Sequence, residues 1–375
     1  MKFRMCSLLM TLRRKKSTPK KPYMGTETYG SVRTEEQTLS KGKHNTSSLP
    51  AHTPQVTFKT SQDDPESSKN NKDGLEKVEE VSGSTKVSSV LAENNPSWCI
   101  GGASVIGAGH ITNNTVCQDS HHIEYWMDGW GVALVSDGAG SKKYSEIGSQ
   151  QVTQFLLPAY LKEALQPFML ENRLPSEFEW KEAAIESLAN TYSSLASLAK
   201  KQGHQQQDYA CTVMFSVFSP FGILFAHIGD GRACYRTQNG EWLTLLVPMK
   251  GEEANQTLFI TEPSLWISRE IASKNIGVKV VENVTGFSLM TDGCEKYFFE
   301  CSQFDEIAQK NIDKNRPFQP TFNFFYNKIT GEKFSSDQIS ASLKGYLEND
   351  KNLKKEQDDK TLLIAVKSEK TGDQK

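Results

Sequence analysis

The chain has 375 residues, 37% of them hydrophobic and 23% charged, and its 43 basic and 45 acidic side chains leave a formal charge of −2. An apolar share below the roughly 45–50% of an average globular chain argues against filling the whole length with core, and the charge balance excludes a polycation built to grip nucleic acid. Seven cysteines without C-x-x-C spacing exclude a disulfide scaffold and disfavour a cysteine zinc site, and no apolar run approaches the roughly 20 residues of a membrane span, so a soluble, cytoplasmic protein is expected.

Residues 1–95 hold four of the 36 aromatic side chains and are rich in Ser, Thr, Lys, Asn and Glu, with no sustained period of 2 or 3.6. Such a stretch buries too little apolar surface to offset its ordering entropy and reads as a disordered polar tail. Its first 21 residues carry eight basic and no acidic side chains, a tip suited to contact with an anionic surface. The folded part is expected over 96–368 as one unit of mixed helices and strands, with a short tail at 369–375.

Gly131–Ser136 reads as a buried strand. Helices are expected from Tyr144 to about Gln166 and over 178–202, where Ile185, Leu188, Ala189, Tyr192, Leu195, Ala196 and Ala199 share one face. A meander then follows at Tyr209–Phe218, Phe221–Ile228, Arg232–Thr237 and Trp242–Val247, with turn chemistry at Ser219-Pro220-Phe221-Gly222, Asp230-Gly231 and Asn239-Gly240. Further strands are expected at Gln256–Thr261, Val278–Asn283 and Gly286–Thr291. The stretch 303–335 yields no assignment. A helix near 336–348 opens on the capping box Ser335-x-x-Gln338, and Thr361–Lys367 closes the fold as a strand. Consecutive strands joined by tight turns imply antiparallel sheets with helices packed outside.

Three apolar strands end in the same dipeptide, at Asp137-Gly138, Asp230-Gly231 and Asp292-Gly293. Asp358-Asp359 immediately precedes the last strand, and Asp119 lies upstream of Gly131–Ser136. One Asp-Gly is ordinarily a turn, and Asp230-Gly231 between two strands could be only that. The repetition of acids at strand ends that can share a rim points to a site for hard cations, which take oxygen ligands and keep several waters. No G-x-S-x-G elbow, Walker-A loop, G-x-G-x-x-G or H-E-x-x-H competes with this reading. Cys117, Cys211, Cys234 and Cys294 lie in or beside apolar strands and read as small core residues. Outside the tail the charges number 27 basic and 34 acidic, which disfavours nucleic acid as a substrate of the folded part.

In order along the chain stand Gly107-Ala-Gly-His110, Cys117-Gln118-Asp119, VALVSDGAG (132–140), Cys211-Thr212, AHIGDGRACYR (226–236), SLMTDG (288–293) and DDKTLLIAV (358–366). With this ordered set the sequence resembles the metal-dependent protein phosphatases of type 2C, the PPM family, in its bacterial-style branch. The resemblance implies an α+β fold: a four-layer αββα sandwich of two antiparallel sheets flanked by helices, with metals between the sheets at one end. It implies two Mg²⁺ or Mn²⁺ ions, and a weaker third that some members bind. Asp137 resembles the carboxylate bridging two ions, Gly138 the backbone-carbonyl ligand beside it, and Asp292 and Asp358 ligands of one ion. Asp359 takes the place of an Asn. Asp119, with Gln118 in the place of a Glu, resembles the pair that supports the metals, and Asp230 resembles the ligand of the third ion. The implied activity is hydrolysis of phosphorylated serine and threonine in proteins, by a metal-activated water attacking phosphorus in line without a phosphoenzyme. Asp137, Asp119 and His110 are the candidate catalytic residues.

Three positions depart from the family pattern. The phosphate-binding Arg five residues before the supporting Asp is Asn114 here, the His that often follows Asp-Gly is Ala139, and Gln118 replaces a Glu. His110, Lys142 and Lys143 are the candidates to hold the phosphate instead, the lysines lying just before an expected helix start. The departures keep an alternative open, a catalytically weak relative acting as a phosphoprotein-binding or regulatory module. A metal-dependent phosphodiesterase or nuclease sharing only the carboxylate logic is a third reading.

Overall fold

A computed structural model describes residues 98–249, 257–301, 303–306 and 309–368. The expected tails at 1–95 and 369–375 lie outside the described residues. The chain begins with β1 (Trp98–Val105), a short helix α1 (Ala108–Thr112), β2 (Ser120–Tyr125) and β3 (Gly131–Ser136). Helix α2 (Ser145–Gln150) runs through a π-helical segment, Gln151–Leu156, into α3 (Leu157–Leu170). Helix α4 (Glu177–Gln202) follows, held at its start by the capping box of Ser176 and Glu179 and ended by Gly203 at φ 72°.

Strands β4 (Val213–Phe218), β5 (Gly222–Ile228), β6 (Arg232–Thr237) and β7 (Trp242–Thr244) come next, then α5 (Arg269–Asn275), β8 (Gly277–Glu282) and β9 (Val284–Met290). Helix α6 (Asp292–Phe298) leads into four short strands, β10 (Phe299–Glu300), β11 (Gln303–Asp305), β12 (Lys310–Ile312) and β13 (Arg316–Pro317). Helices α7 (Gln319–Gly331) and α8 (Ser336–Asn349) precede β14 (Lys360–Lys367).

Two five-stranded antiparallel sheets result, ordered β1-β14-β9-β6-β7 and β2-β3-β4-β5-β8. Strand β3 shows why they stack. Its alternate residues Ala133 and Val135 join the core shared with Phe287, Leu289, Leu363 and Ala365 of the other sheet. Val132 and Leu134 face outward and pack with Leu161, Leu165, Trp180 and Leu188 of α3 and α4. A strand covered on both faces is apolar throughout, as GVALVS is. On the far side α8 lies against β1, where a Cβ on Gly101 would stand 2.6 Å from that of Ile339, and α7 stacks Phe322 on Trp242 with ring centroids 4.9 Å apart. The molecule is the expected α+β sandwich of helix, sheet, sheet and helix layers.

The meander reading fails at one joint. Strand β5 pairs with β4 and β8, whereas β6 pairs with β7 and β9 in the other sheet. Asp230-Gly231 is therefore no hairpin turn but the crossing between sheets. Gly229 at φ 123° and Gly231, where a Cβ would meet the Met290 carbonyl at 2.6 Å, make the crossing sterically feasible. The strand expected at Gln256–Thr261 is also absent over the described residues 257–261. Thr257 spends its hydroxyl on Asp230, and the Ile260 carbonyl accepts from the Trp266 indole.

Candidate active site

The strand ends deliver five aspartates to one rim. Ser120 pairs with Ser136, so Asp119 and Asp137 stand side by side just off β2 and β3. In the other sheet Met290 pairs with both Arg232 and Leu362, which brings Asp230, Asp292 and Asp358 to a common edge. Asp119 joins the two sheets: one of its oxygens, Oδ2, accepts from the hydroxyls of Thr291 at 2.7 Å and Thr361 at 2.8 Å.

The loop after β3 is pinned by its neighbours. The Asp137 N–H donates to the Thr212 hydroxyl at 2.9 Å, and the Asp137 carbonyl accepts from the Thr212 N–H at 2.8 Å. Gly138 donates to the Gln118 carbonyl at 3.2 Å. A Cβ there would lie 2.8 Å from the carbonyls of both Gln118 and Ser145, so only glycine fits. Lys142 is half-buried and Lys143 exposed on the same loop, with the Lys143 Nζ 5.0 Å from the centre of the Tyr144 ring.

Electrostatically the rim is a cluster of like charges. Burial, then the charges of Asp119, Asp292, Asp358 and Asp230, push the Asp137 carboxyl well above the usual range. Burial also raises Asp119, against the two threonine hydroxyls, and Asp292 is pushed up to about 7 by burial and by Asp230 and Asp358. Asp358 is raised by burial, with His110 acting in the opposite direction. Two buried oxygens, Asp292 Oδ1 and Gln118 Oε1, have no hydrogen-bond partner among the described residues. No three His, Cys, Asp or Glu side chains among the described residues converge closely enough to hold an ion by protein atoms alone, an arrangement compatible with a hard cation that keeps several of its waters.

His110 stands at the edge of this rim, its Nδ1 2.9 Å from Asp359 Oδ2. Asp359 is buried, and its oxygens accept from the N–H groups of Gly107 at 2.7 Å and Gln118 at 2.6 Å. Sequence reasoning missed this carboxylate as a fixed anchor, and it missed Thr212, Thr291 and Thr361. The signal was present, since Thr291 directly precedes Asp292 and Thr361 ends Asp-Asp-Lys-Thr. It also missed Arg232, which is 2% exposed and ties the crossing to α6 and to the loop before β13. Its Nη2 is 2.7 Å from both Glu295 and Asp313. Cys211, Cys234 and Cys294 are buried as expected, while Cys117 is half-buried and its thiol is pushed far above its ordinary range by burial and by Asp119.

The chain is similar to known proteins over most of its folded part. The family described as Protein phosphatase 2C matches residues 106–348. Serine/threonine-protein phosphatase 3 of Escherichia coli (strain K12) is 28% identical over 292 residues, spanning 73% of this chain and all of that protein. Among solved structures, serine-threonine phosphatase 2C from Toxoplasma gondii aligns with a TM-score of 0.48 at 14% identity, covering 73% of this chain and 96% of that one. The catalytic domain of serine threonine protein phosphatase PstP in complex with 2 manganese ions aligns at 0.43 and 14% identity, covering 72% and 99%.

Proposed function

Because the chain belongs to the protein phosphatase 2C family, we propose that its folded part is a metal-dependent phosphatase acting on phosphorylated serine and threonine in proteins. The observation that carries this reading is the rim itself. Four other aspartates act on Asp137, and Asp292 Oδ1 is buried without a hydrogen-bond partner among the described residues. Buried like charges persist in a fold when a cation offsets them. The donor set is all oxygen, which suits Mg²⁺ or Mn²⁺.

In this reading Asp137, the Gly138 carbonyl, Asp292 and Asp358 hold two ions, Asp119 supports them through water, and Asp230 serves a third. Bound there, the ions would lower the pKa of a water toward neutrality and offset charge on the phosphoryl oxygens. The protein's own groups do the rest. Thr291 and Thr361 fix Asp119 by one oxygen, leaving the other to orient the attacking water. Thr212 fixes the backbone on both sides of Asp137. Lys142 and Lys143, on the loop that follows, draw the phosphate dianion toward the rim. No helix among the described residues is long and apolar enough to cross a membrane.

The binding-module alternative, raised by Asn114 and Ala139, leaves the self-repulsion of five aspartates without a purpose. The test is hydrolysis of p-nitrophenyl phosphate and of a phosphoserine peptide by the full chain during a Mn²⁺ titration, with Asp137→Asn as the control. Metal-dependent turnover that falls at least about a hundredfold in the variant is expected, the scale lost with one preorganised electrostatic group. Equal inactivity of both proteins in excess Mn²⁺ sinks the enzyme reading. Preference for bis-p-nitrophenyl phosphate would turn it toward a phosphodiesterase.

A further inference from the structure

Breaking the ester of a phosphorylated serine leaves an alkoxide, a poor leaving group unless a proton reaches it as the bond breaks. The position after Asp137-Gly138 is Ala139, which has no proton to give. Around the rim most other donors are unsuited. Lys143 is exposed to water, Arg232 is permanently charged and locked between Glu295 and Asp313, and the Cys117 thiol is pushed far above its ordinary range. His121 is turned into the seam between the sheets, bonded to the Ser104 hydroxyl at 2.8 Å.

His110 is different, and the chain is shaped to place it. Helix α1 rests directly on the segment before β14, with Ala108 N–H donating to the Glu356 carbonyl at 2.8 Å and Gly109 N–H to the Gln357 carbonyl at 3.0 Å. A Cβ on Gly109 would stand 2.8 Å from the Gln357 oxygen, and one on Gly107 would overlap the same carbonyl. The two glycines thus permit the contact that brings His110 to Asp359. That carboxylate cannot swing, because two backbone N–H groups hold its two oxygens. The imidazole Nδ1 is sealed from solvent 2.9 Å from Oδ2, in ion-pair reach but off the hydrogen-bond line. The side chain remains 20% exposed, and this exposure lies away from Nδ1. The other ring nitrogen, Nε2, has no hydrogen-bond partner among the described residues. The charge of His110 also acts on Asp358, on the rim itself.

We propose that His110, held by Asp359, is the general acid that protonates the leaving oxygen, with Asp359 as its positioning residue. The inference rests on the phosphatase reading above. In the step, the water oxygen forms the new bond to phosphorus and its proton passes to solvent. The bond from phosphorus to the serine oxygen breaks with its electron pair on that oxygen, which takes the proton from Nε2. The imidazole regains a proton from solvent, so phosphomonoester and water become alcohol and phosphate.

The experiment compares leaving groups in the full chain with excess Mn²⁺. For His110→Ala and His110→Gln, kcat on phenyl phosphate and on a phosphoserine peptide should fall about a hundredfold, whereas p-nitrophenyl phosphate, whose leaving group needs no proton, should change by less than about threefold. Asp359→Asn should show the same selectivity with a smaller loss, and the Mn²⁺ Kd measured by calorimetry should be unchanged in all three variants. An equal loss on good and poor leaving groups, or a loss accounted for by weaker Mn²⁺ binding, overturns the assignment. A wild-type chain inert toward every substrate removes the phosphatase reading and this inference together, a result distinct from missing leaving-group selectivity.

Discussion

His227 shows how one side chain makes stability depend on pH. It sits on β5, 2% exposed, with Nε2 3.3 Å from the Val247 carbonyl and Nδ1 without a partner among the described residues. Burial, only partly opposed by the carbonyls of Val247 and Gly277, pulls its pKa down to about 4. Because the folded value lies below the unfolded one, near 6.5, the unfolded chain takes up the proton first as pH falls. The neutral ring's contribution is complete above about pH 6.5 and is lost between there and about pH 4. From pH 7.5 to pH 5 the loss is about 2 kcal/mol. Urea midpoints at the two pH values should show that His227→Leu lacks this part of the acid sensitivity, and an unchanged difference would mean that another group carries it. At this scale the sequence was legible where a pattern repeated. An acid at several strand ends announced a shared rim, whereas Thr291 and Thr361, which pin Asp119, stand close to those acids in the sequence but take their partner only when the sheets face each other. The carboxylate of Asp359 likewise acquires its role only when α1 closes onto it.

Arg232 is the point where separate elements are clamped together. It follows the crossing between sheets, and its guanidinium binds Glu295 on α6 through Nε and Nη2 and reaches Asp313 and Asn315 before β13. Removing one partner of a buried pair costs roughly 3–5 kcal/mol. Glu295 and Asp313 are each about a third exposed, so water relieves part of the stranded charge, and Arg232→Met should cost about 2 kcal/mol. Hydrogen exchange should rise over 309–317 while β3 and β4 keep their protection; uniform loosening would show that the clamp supports the whole sandwich. The elements read well from sequence were those with a clean period and a marked start, such as α4 and α8 with its Ser335 and Gln338 cap. Helix α7 was not legible, because Pro320 and an aromatic run of weak helix propensity open it. Its stability comes from packing on Trp242 and Phe298. Strand β1 was missed because Gly101 and Gly102 break its β pattern, and those glycines are there to admit α8 and the His121 ring.

For the molecule as a whole the rim is a fault in the metal-free fold that a cation should repair. Five aspartates face one another at one end of a sandwich that is otherwise packed with apolar residues on both sides of each sheet. A ligand that binds only the folded state stabilises it by about 2.7 kcal/mol at a hundred times its Kd. For a domain of this size each kcal/mol moves Tm by roughly 2–4 °C, so saturating Mn²⁺ should raise Tm by about 5–10 °C over the protein in a chelator. Removing a repelling charge should mimic part of this gain, so Asp137→Asn should melt higher than wild type without metal and respond less when Mn²⁺ is added. Sodium chloride at the same ionic strength should not substitute, because partly buried charges at short range are screened far less than exposed ones. Calorimetric scans of the full chain in chelator, in Mn²⁺ and in matched sodium chloride decide the matter. If sodium chloride raises Tm as far as Mn²⁺ does, the aspartates are merely a surface charge excess and the cation site on this rim is disproved.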